Sequence, residues 1–257
     1  MKKLLLLILA VLMVGCTTVE KPNKDVLFQV STIDALLAGV YDGEISVAEL
    51  NQNGDFGIGT FNSLDGEMVA VDGNIYKIRT DGVAYLMGDE EKTPFAVMTF
   101  FEPDEKVFMT GEIDYNELQE YLDNALGSKN IFYAFRIQGE FDYIKTRSVP
   151  KQSRPYPKLV DAVAKQAIFE FKDVKGTIIG FRSPDYVDGI NVPGYHIHFI
   201  TDDRKAGGHL LSVQMKDITV EVDHTTDFYM TLPKQGDFYD IDLSEDKQEE
   251  LTKVEKD

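Results

Sequence analysis

The chain has 257 residues, with 44 Asp and Glu against 26 Lys and Arg, so its formal net charge is −18. Because so acidic a chain repels phosphate, its charge excludes most nucleic-acid-binding classes. A hydrophobic content of 43% and a charged content of 27% exclude disordered and fibrous classes, and the length fits one large domain or two small ones.

The first sixteen residues have the pattern of an export signal. Lys2 and Lys3 precede an apolar run over 4–14, which is too short to span a bilayer of ~30 Å. The run ends at Cys16, the only cysteine, in a sequence that resembles a bacterial lipobox. We therefore predict a lipoprotein-type signal peptide over 1–16, with a lipid on Cys16 as the only membrane contact. An ordinary signal peptide and secretion are the alternative.

The rest of the chain is predicted to be a polar tether over 17–25 and a folded domain over 26–257, with a possible subdomain boundary near 150–166. Short runs of β-branched and aromatic residues, separated by Gly, Asp and Asn, predict many strands. These strands are expected over 26–31, 56–61, 67–71, 75–79, 96–101, 106–112, 131–147, 166–172, 177–182, 195–201, 209–222 and 228–232.

Glycines divide two of these regions in the prediction. Residues 131–147 are predicted as two strands broken near Gly139, and 166–182 as a hairpin around Gly176. Residues 135–150 and 169–184 share one order of features: a strand, a glycine, a second strand, Arg-Ser and then Pro. We interpret the two segments as unrelated hairpins. Two related half-domains are the alternative.

Helices are predicted to be few, and they are expected over 32–40, 114–126, 157–165 and 244–253. Asp114 is a candidate N-cap with Glu117 at the capping-box position, and Ser244 is a second candidate N-cap. Because no repeating β-α-β order occurs, the pattern predicts an α+β (mixed α/β) fold with mostly antiparallel or mixed sheets.

Three of the four histidines lie within fourteen positions. His196 and His198 are two residues apart on a predicted strand, so they point to the same face. His209 opens the next strand after a polar turn and can fold back beside them. Three neutral imidazoles favour a catalytic-type site for Zn²⁺ or another divalent first-row metal, with open positions left. His224 is interpreted as an exposed turn histidine without a partner.

Two further residues are candidates for chemistry. Glu67 starts a strand after a tight turn, where it can complete a metal shell, donate a proton or simply be solvated. Arg147 ends a long aromatic strand, where it can clamp a substrate carboxylate or pair with a surface acid. Dinucleotide, P-loop, nucleophile-elbow and HExxH motifs are absent from the sequence. The paired histidines also occur in cupins, but Asp202 and Asp203 stand where cupins carry a glutamate.

The segments around these residues resemble bacterial alpha-acetolactate decarboxylase. The matching features are Gly-Thr60-Phe with Leu-Asp-Gly-Glu67-Met, Thr-Arg147-Ser-Val-Pro-Lys, Pro-Gly-Tyr-His196-Ile-His198-Phe with Gly-Gly-His209, and Val-Glu255. The resemblance runs from about residue 25 to residue 257. It implies a two-part fold of two sheet-based subdomains, with a metal site near their junction, and a possible homodimer.

The resemblance also implies a reaction, the metal-dependent decarboxylation of 2-acetolactate to acetoin and CO₂. The metal, held by His196, His198 and His209, would act as a Lewis acid for an enediolate intermediate. Arg147 would hold the carboxylate, and Thr60 would form a hydrogen bond near the metal. Glu67 and Glu255 are the candidates for fifth ligand and proton donor, without individual assignment. A cupin-like metalloenzyme and a non-enzymatic metal-binding surface lipoprotein are the alternatives.

Overall fold

The computed structural model describes residues 23–256, so the predicted signal peptide and tether residues 17–22 lie outside the described residues. Within this range there are fourteen strands: β1 Val26–Val30, β2 Ile45–Ser46, β3 Phe56–Thr60, β4 Glu67–Val71, β5 Asn74–Ile78, β6 Ala84–Leu86, β7 Lys92–Thr93, β8 Ala96–Thr99, β9 Glu105–Asp114, β10 Phe132–Ser148, β11 Ala167–Ser183, β12 Gly194–Thr201, β13 Gly207–Thr225 and β14 Asp227–Thr231. The helices are α1 Ile33–Leu37, α2 Val47–Leu50, α3 Tyr115–Ala125, α4 Leu159–Val163 and α5 Gln248–Lys256. Short 3₁₀ turns occupy Asn62–Leu64, Asp185–Val187 and Gly236–Tyr239.

The first sheet has seven strands in the order β14-β1-β8-β3-β4-β5-β6. Its pairs are antiparallel except for β1 with β14, which is parallel. We call it the mixed sheet. A separate two-stranded ribbon is formed by β2 and β7.

The second sheet is made of long strands in the order β10-β11-β12-β13-β9. Strand β10 pairs with β11 along its length and also with β13, so β10 to β13 close into a ring of antiparallel pairs. We call this the long-strand sheet. Each of its ladders fixes which side chains lie next to each other across strands.

Among the described residues, apolar side chains form three cores: the first lies between the two sheets, the second inside the long-strand sheet, and the third between the mixed sheet and α2. Phe56, Val69 and Phe181 belong to the first core, where the rings of Phe56 and Phe181 are 5.9 Å apart. Phe141 and Phe199 belong to the second, in edge-to-face contact at 5.7 Å. Burial of such side chains stabilises the fold by about 1.5–3 kcal/mol each. The result is two sheet-based parts joined across an apolar interface.

This architecture confirms the predicted fold class and several local features. Asp114 caps α3, accepting from the backbone N–H groups of Asn116 and Glu117, and the Glu117 carboxylate completes the capping box. Thr32 similarly caps α1. Within residues 23–256, no helix combines the length and apolar character needed to cross a membrane.

The break near Gly139 and the hairpin around Gly176 were both wrong predictions. Each region is one continuous strand of 17 residues, and Gly139 lies directly opposite Gly176 in the β10–β11 ladder. A Cβ on Gly176 would stand 2.4 Å from the Phe199 ring, so this glycine permits close packing and does not form a turn. The two similar segments are therefore neighbouring antiparallel strands, and neither is a hairpin.

The last helix begins later than predicted. It starts at Gln248, whose backbone N–H donates to the Asp246 carboxylate at 2.9 Å, and Ser244 is not its N-cap. Charged residues over 244–253 gave a helical pattern without a sharp start. The shift places the final turn of α5 against the interface between the sheets, where Leu251 and Val254 are buried.

Candidate metal centre

The long-strand sheet brings four predicted site residues together. His209 on β13 lies directly opposite His198 on β12 and directly opposite Arg147 on β10. Directly opposed residues in an antiparallel ladder point to the same face. His196, two residues before His198, points to that face as well. The four side chains therefore converge from three neighbouring strands.

Two glycines before His209 allow this convergence. A Cβ on Gly208 would stand 2.4 Å from the Arg147 carbonyl oxygen, and Gly208 has a φ of +138°. A Cβ on Gly207 would stand 2.2 Å from the carbonyl oxygen of Phe199. With any larger residue here, β13 could not approach both neighbouring strands closely enough to hold His209 in place.

The three histidines form a compact buried group. One ring nitrogen from each of His196, His198 and His209 lies within 4.8 Å of the others. Their ring centroids are 5.0 to 5.2 Å apart, and the residues are between 1% and 8% exposed. Such an arrangement has the donor types and the spacing for one first-row divalent ion.

The protonation states favour metal binding. Burial, together with the positive charge of Arg147, lowers the pKa of His196 to about 3. Burial also holds the pKa of His198 and of His209 well below the usual value. All three rings are therefore neutral at physiological pH, which is the form that binds a metal ion.

A backbone carbonyl fixes the tautomer of His198. The carbonyl of Met68 on β4 accepts a hydrogen bond from His198 Nδ1 at 2.7 Å, so the proton lies on Nδ1. His198 Nε2 and His196 Nδ1 are both buried without a hydrogen-bond partner in the described structure. An unpartnered buried nitrogen with a free lone pair is what a bound metal ion would satisfy, so the residues fit a divalent metal.

The mixed sheet contributes Glu67 and Thr60. These residues are directly opposed on β4 and β3, so both face the histidines. Glu67 Oε2 is 3.8 Å from His198 Nε2, whereas the Thr60 hydroxyl donates to the carbonyl of Gly66 at 2.7 Å. Burial raises the pKa of Glu67 to about 7, and the charge of Arg147 opposes that rise.

The C-terminal helix contributes Glu255. Its Oε2 is 3.7 Å from His209 Nε2, and burial raises its pKa to about 7 against the lowering effect of Arg147. The buried Leu251 and Val254 anchor the helix, and Glu250 forms an ion pair with Lys158 at 2.8 Å. Helix packing thus holds a second carboxyl group beside the histidines, in the same cavity as Glu67.

Arg147 supplies the positive charge of the group. It is 3% exposed, its Nη1 donates to Gln166 Oε1 at 3.3 Å, and among the described residues its buried Nε has no hydrogen-bond partner. A buried guanidinium with an unused donor can bind a carboxylate through charge-assisted hydrogen bonds.

These side chains surround a small inner cavity of about 40 Å³, enough for an ion and a few water-sized groups. Its other walls are mostly apolar, formed by residues such as Ile33, Leu36 and Phe95. A second, polar cavity of about 1010 Å³ lies beside α3 and β12. Glu255 lines both cavities and therefore lies at their boundary.

The structure corrects the prediction for His224 and adds two groups to the site that the sequence did not indicate. His224 lies within β13, not in a turn, and its Nε2 is 2.8 Å from Glu105 Oε1, so the absence of a partner was a wrong prediction. Gln166 and the Met68 carbonyl were not predicted as site groups. The Met68 carbonyl was missed because no sequence signal marks a backbone carbonyl, although Met68 adjoins Glu67. Gln166 was missed because only the strand register places it near Arg147.

Comparisons with known proteins agree with each other. The family model described as alpha-acetolactate decarboxylase matches residues 27–245. A relative of that name from Methanosarcina mazei is 54% identical over 233 residues, which is 91% of this chain and 81% of the relative. The Bacillus subtilis strain 168 relative of that name is 42% identical over 217 residues, covering 84% of this chain and 85% of its own. The crystal structure of alpha-acetolactate decarboxylase from that strain has a TM-score of 0.88 and 39% identity, covering 90% of this chain and all of that one.

Proposed function

The chain belongs to the alpha-acetolactate decarboxylase family and is a carboxy-lyase, and we propose that it converts 2-acetolactate to acetoin and CO₂ with a divalent metal. His196, His198 and His209 would hold Zn²⁺ or another first-row ion. The observation that carries this proposal is the group of three buried, neutral imidazoles whose nitrogens lie within 4.8 Å.

Decarboxylation requires a group that stabilises the electron pair left on carbon, and a proton donor. When CO₂ leaves the substrate carboxylate, the electron pair of the broken bond remains on carbon, and one proton must later be added there. When bound, a divalent ion would supply a Lewis acid that stabilises this negative charge. We propose that the described side chains orient the substrate, supply the proton and exclude water.

Arg147 is proposed to bind the substrate carboxylate before it leaves. Its buried guanidinium has an unused Nε donor and lies next to His209 in the ladder. A carboxylate held by charge-assisted hydrogen bonds in a buried site keeps one orientation, which aligns the bond to be broken. Departing CO₂ is neutral, so the attraction to Arg147 weakens as the reaction proceeds.

Glu67 and Glu255 are proposed to share the roles of fifth metal ligand and proton donor. Both have a pKa raised to about 7, so each is present in protonated and ionised forms near neutral pH. A proton donor works best when its pKa is near the working pH. They approach different histidines at 3.8 and 3.7 Å, so the proton could be delivered to one defined face.

Thr60 and the apolar walls are proposed to shape the substrate site. The Thr60 hydroxyl uses its proton on the Gly66 carbonyl, which leaves its oxygen able to accept a hydrogen bond from the substrate hydroxyl. Ile33, Leu36 and Phe95 would keep water away from the reacting carbon. A dry site strengthens every electrostatic interaction inside it.

We also propose that the protein is exported and anchored through a lipid on Cys16. The apolar run that ends at Gly-Cys16 supports this proposal. Growth with labelled palmitate should label the protein, and Cys16→Ala should remain unlabelled. A wild-type protein without label, or equal labelling of Cys16→Ala, would contradict the lipid on Cys16.

The decisive experiment is acetoin formation from racemic 2-acetolactate by the protein without residues 1–16. We expect acetoin above the spontaneous rate, loss of activity with EDTA, and recovery when Zn²⁺ is added back. Activity that survives complete metal removal would contradict the metal-dependent reaction. Turnover only in the presence of O₂ would instead favour a cupin-like oxygenase, and metal binding without turnover a non-enzymatic role.

A further inference from the structure

The surroundings of Arg147 are unusual for a buried cation in an acidic protein. Glu67 and Glu255 share its cavity, yet among residues 23–255 no carboxylate forms an ion pair with it at 4.0 Å or less. Its hydrogen-bond partner is instead the neutral amide oxygen of Gln166, 3.3 Å from Nη1. Buried arginines are usually paired with a carboxylate, so a neutral acceptor is informative.

A neutral acceptor has a different consequence from an acid. A carboxylate would orient the guanidinium but also cancel its charge, and a substrate carboxylate would then have to compete with it. An amide oxygen orients the guanidinium and leaves its full charge available. The amide oxygen accepts from Nη1 and not from Nε, so the Nε donor of the guanidinium remains available for another partner.

The fold holds Gln166 firmly in this position. Its backbone N–H donates to the carbonyl of Val163 at the end of α4, at 2.9 Å. The next residue, Ala167, begins β11 opposite Ser148, and Ile168 lies opposite Arg147. Gln166 is thus a diagonal neighbour of Arg147 across the two long strands, at a separation that long side chains can bridge.

We propose that Gln166 is a positioning residue that aims the Arg147 guanidinium at the substrate carboxylate without neutralising it. This rests on the proposed function, in which Arg147 binds that carboxylate. The residue thereby sets the affinity for the anionic substrate and has little effect on a neutral ligand such as acetoin.

The test compares two substitutions at Gln166 with one matched control. In Gln166→Glu the new carboxylate pairs with Arg147, so the KM for 2-acetolactate should rise by about tenfold or more, with a smaller change in kcat. Gln166→Met keeps the size of the side chain but removes the acceptor, so its KM should rise less. Gln138→Glu adds the same charge at an exposed position of β10, about 30 Å along the strand from Arg147, and should leave KM unchanged.

Inhibition by acetoin separates positioning from a general structural role. Acetoin has no carboxylate, so its inhibition constant should stay within about twofold of wild type in both Gln166 variants. Equal weakening of substrate and acetoin binding would overturn the proposal, as would an unchanged KM in a folded, metal-loaded Gln166→Glu. Wild-type turnover in the same assay tests the decarboxylase itself. If wild type makes acetoin and Gln166→Glu keeps its KM, only the positioning role fails; a wild type without turnover overturns both.

Discussion

The two sheets contribute different chemistry to the site. The long-strand sheet supplies three neutral imidazoles and a guanidinium from adjacent ladder positions. The mixed sheet and α5 supply the two carboxyl groups, from the first residue of β4 and the last turns of the helix. Ladder hydrogen bonds fix the first set, whereas the second set depends on how the elements pack against each other. The three histidines that could hold a metal ion therefore come from one sheet, whereas the carboxyl groups reach them only through packing between elements.

The largest expected effect comes from removing one ladder histidine. His198→Ala should lose the metal and lower activity by about a thousandfold or more, because a deleted ligand opens the metal shell. Metal content by mass spectrometry and acetoin formation measure both effects. His224→Ala is the control, since His224 pairs with Glu105 outside the site, and it should keep both. Full metal occupancy in His198→Ala would contradict the ligand assignment.

Removing a carboxyl group from the mixed sheet should separate metal binding from turnover. We expect Glu67→Gln to retain most of its metal and to lose about a hundredfold in kcat, because the three histidines remain and one proton donor is lost. The same assays at equal metal loading measure the change. Loss of metal as severe as in His198→Ala would show that Glu67 is an essential ligand and would weaken the contrast between the sheets.

The contact between the sheets also predicts a pH dependence of stability. Burial raises the pKa of Asp223 on β13 to about 7, although its carboxylate accepts from the backbone N–H of Glu102, after β8. An acid with a raised folded-state pKa favours folding while protonated, so stability is lost as the pH rises from about 4 through 7. Asp223→Asn has no titrating group here and should not show this loss. The difference in the free energy of unfolding between Asp223→Asn and wild type should therefore shift in favour of the variant by up to about 4 kcal/mol between pH 4 and pH 8. Urea unfolding at both pH values measures it, and a pH-independent difference would contradict the assignment.

The smallest expected effect tests packing inside the long-strand sheet. A Cβ on Gly180 would stand 2.3 Å from the Phe135 ring, whereas a Cβ on Gly139 meets nothing within 4 Å. Gly180→Ala should therefore lower the free energy of unfolding by about 1–3 kcal/mol. Gly139→Ala should be neutral or raise it by up to about 1 kcal/mol. Equal effects in denaturant titrations would show that the ladder tolerates extra volume.

Sequence patterns predicted the features that depend on near neighbours. His196 and His198 share a face because of strand periodicity, and Asp114 caps α3 because its partner is three residues away. Gly176 was misread because a glycine marks either a turn or a close approach, and the choice depends on a distant ring, here that of Phe199. Gly139 was misread because its pairing with Gly176 keeps β10 continuous, and that pairing depends on strand register. Gln166 and the Met68 carbonyl depend on strand register and on contact between sheets, which a single sequence does not carry.

The hydrogen bond from His198 to the Met68 carbonyl links the proposed metal site to the assembly of the protein. His198 belongs to one sheet and Met68 to the other, so the imidazole is oriented for a metal only while the sheets are docked. By thermodynamic linkage, a bound ion stabilises that docking by the same free energy by which docking improves ion binding. The affinity of the proposed site for a metal ion should therefore depend on how well the two sheets pack. Substitutions in the apolar layer between the sheets should weaken metal binding under conditions in which the protein is still folded.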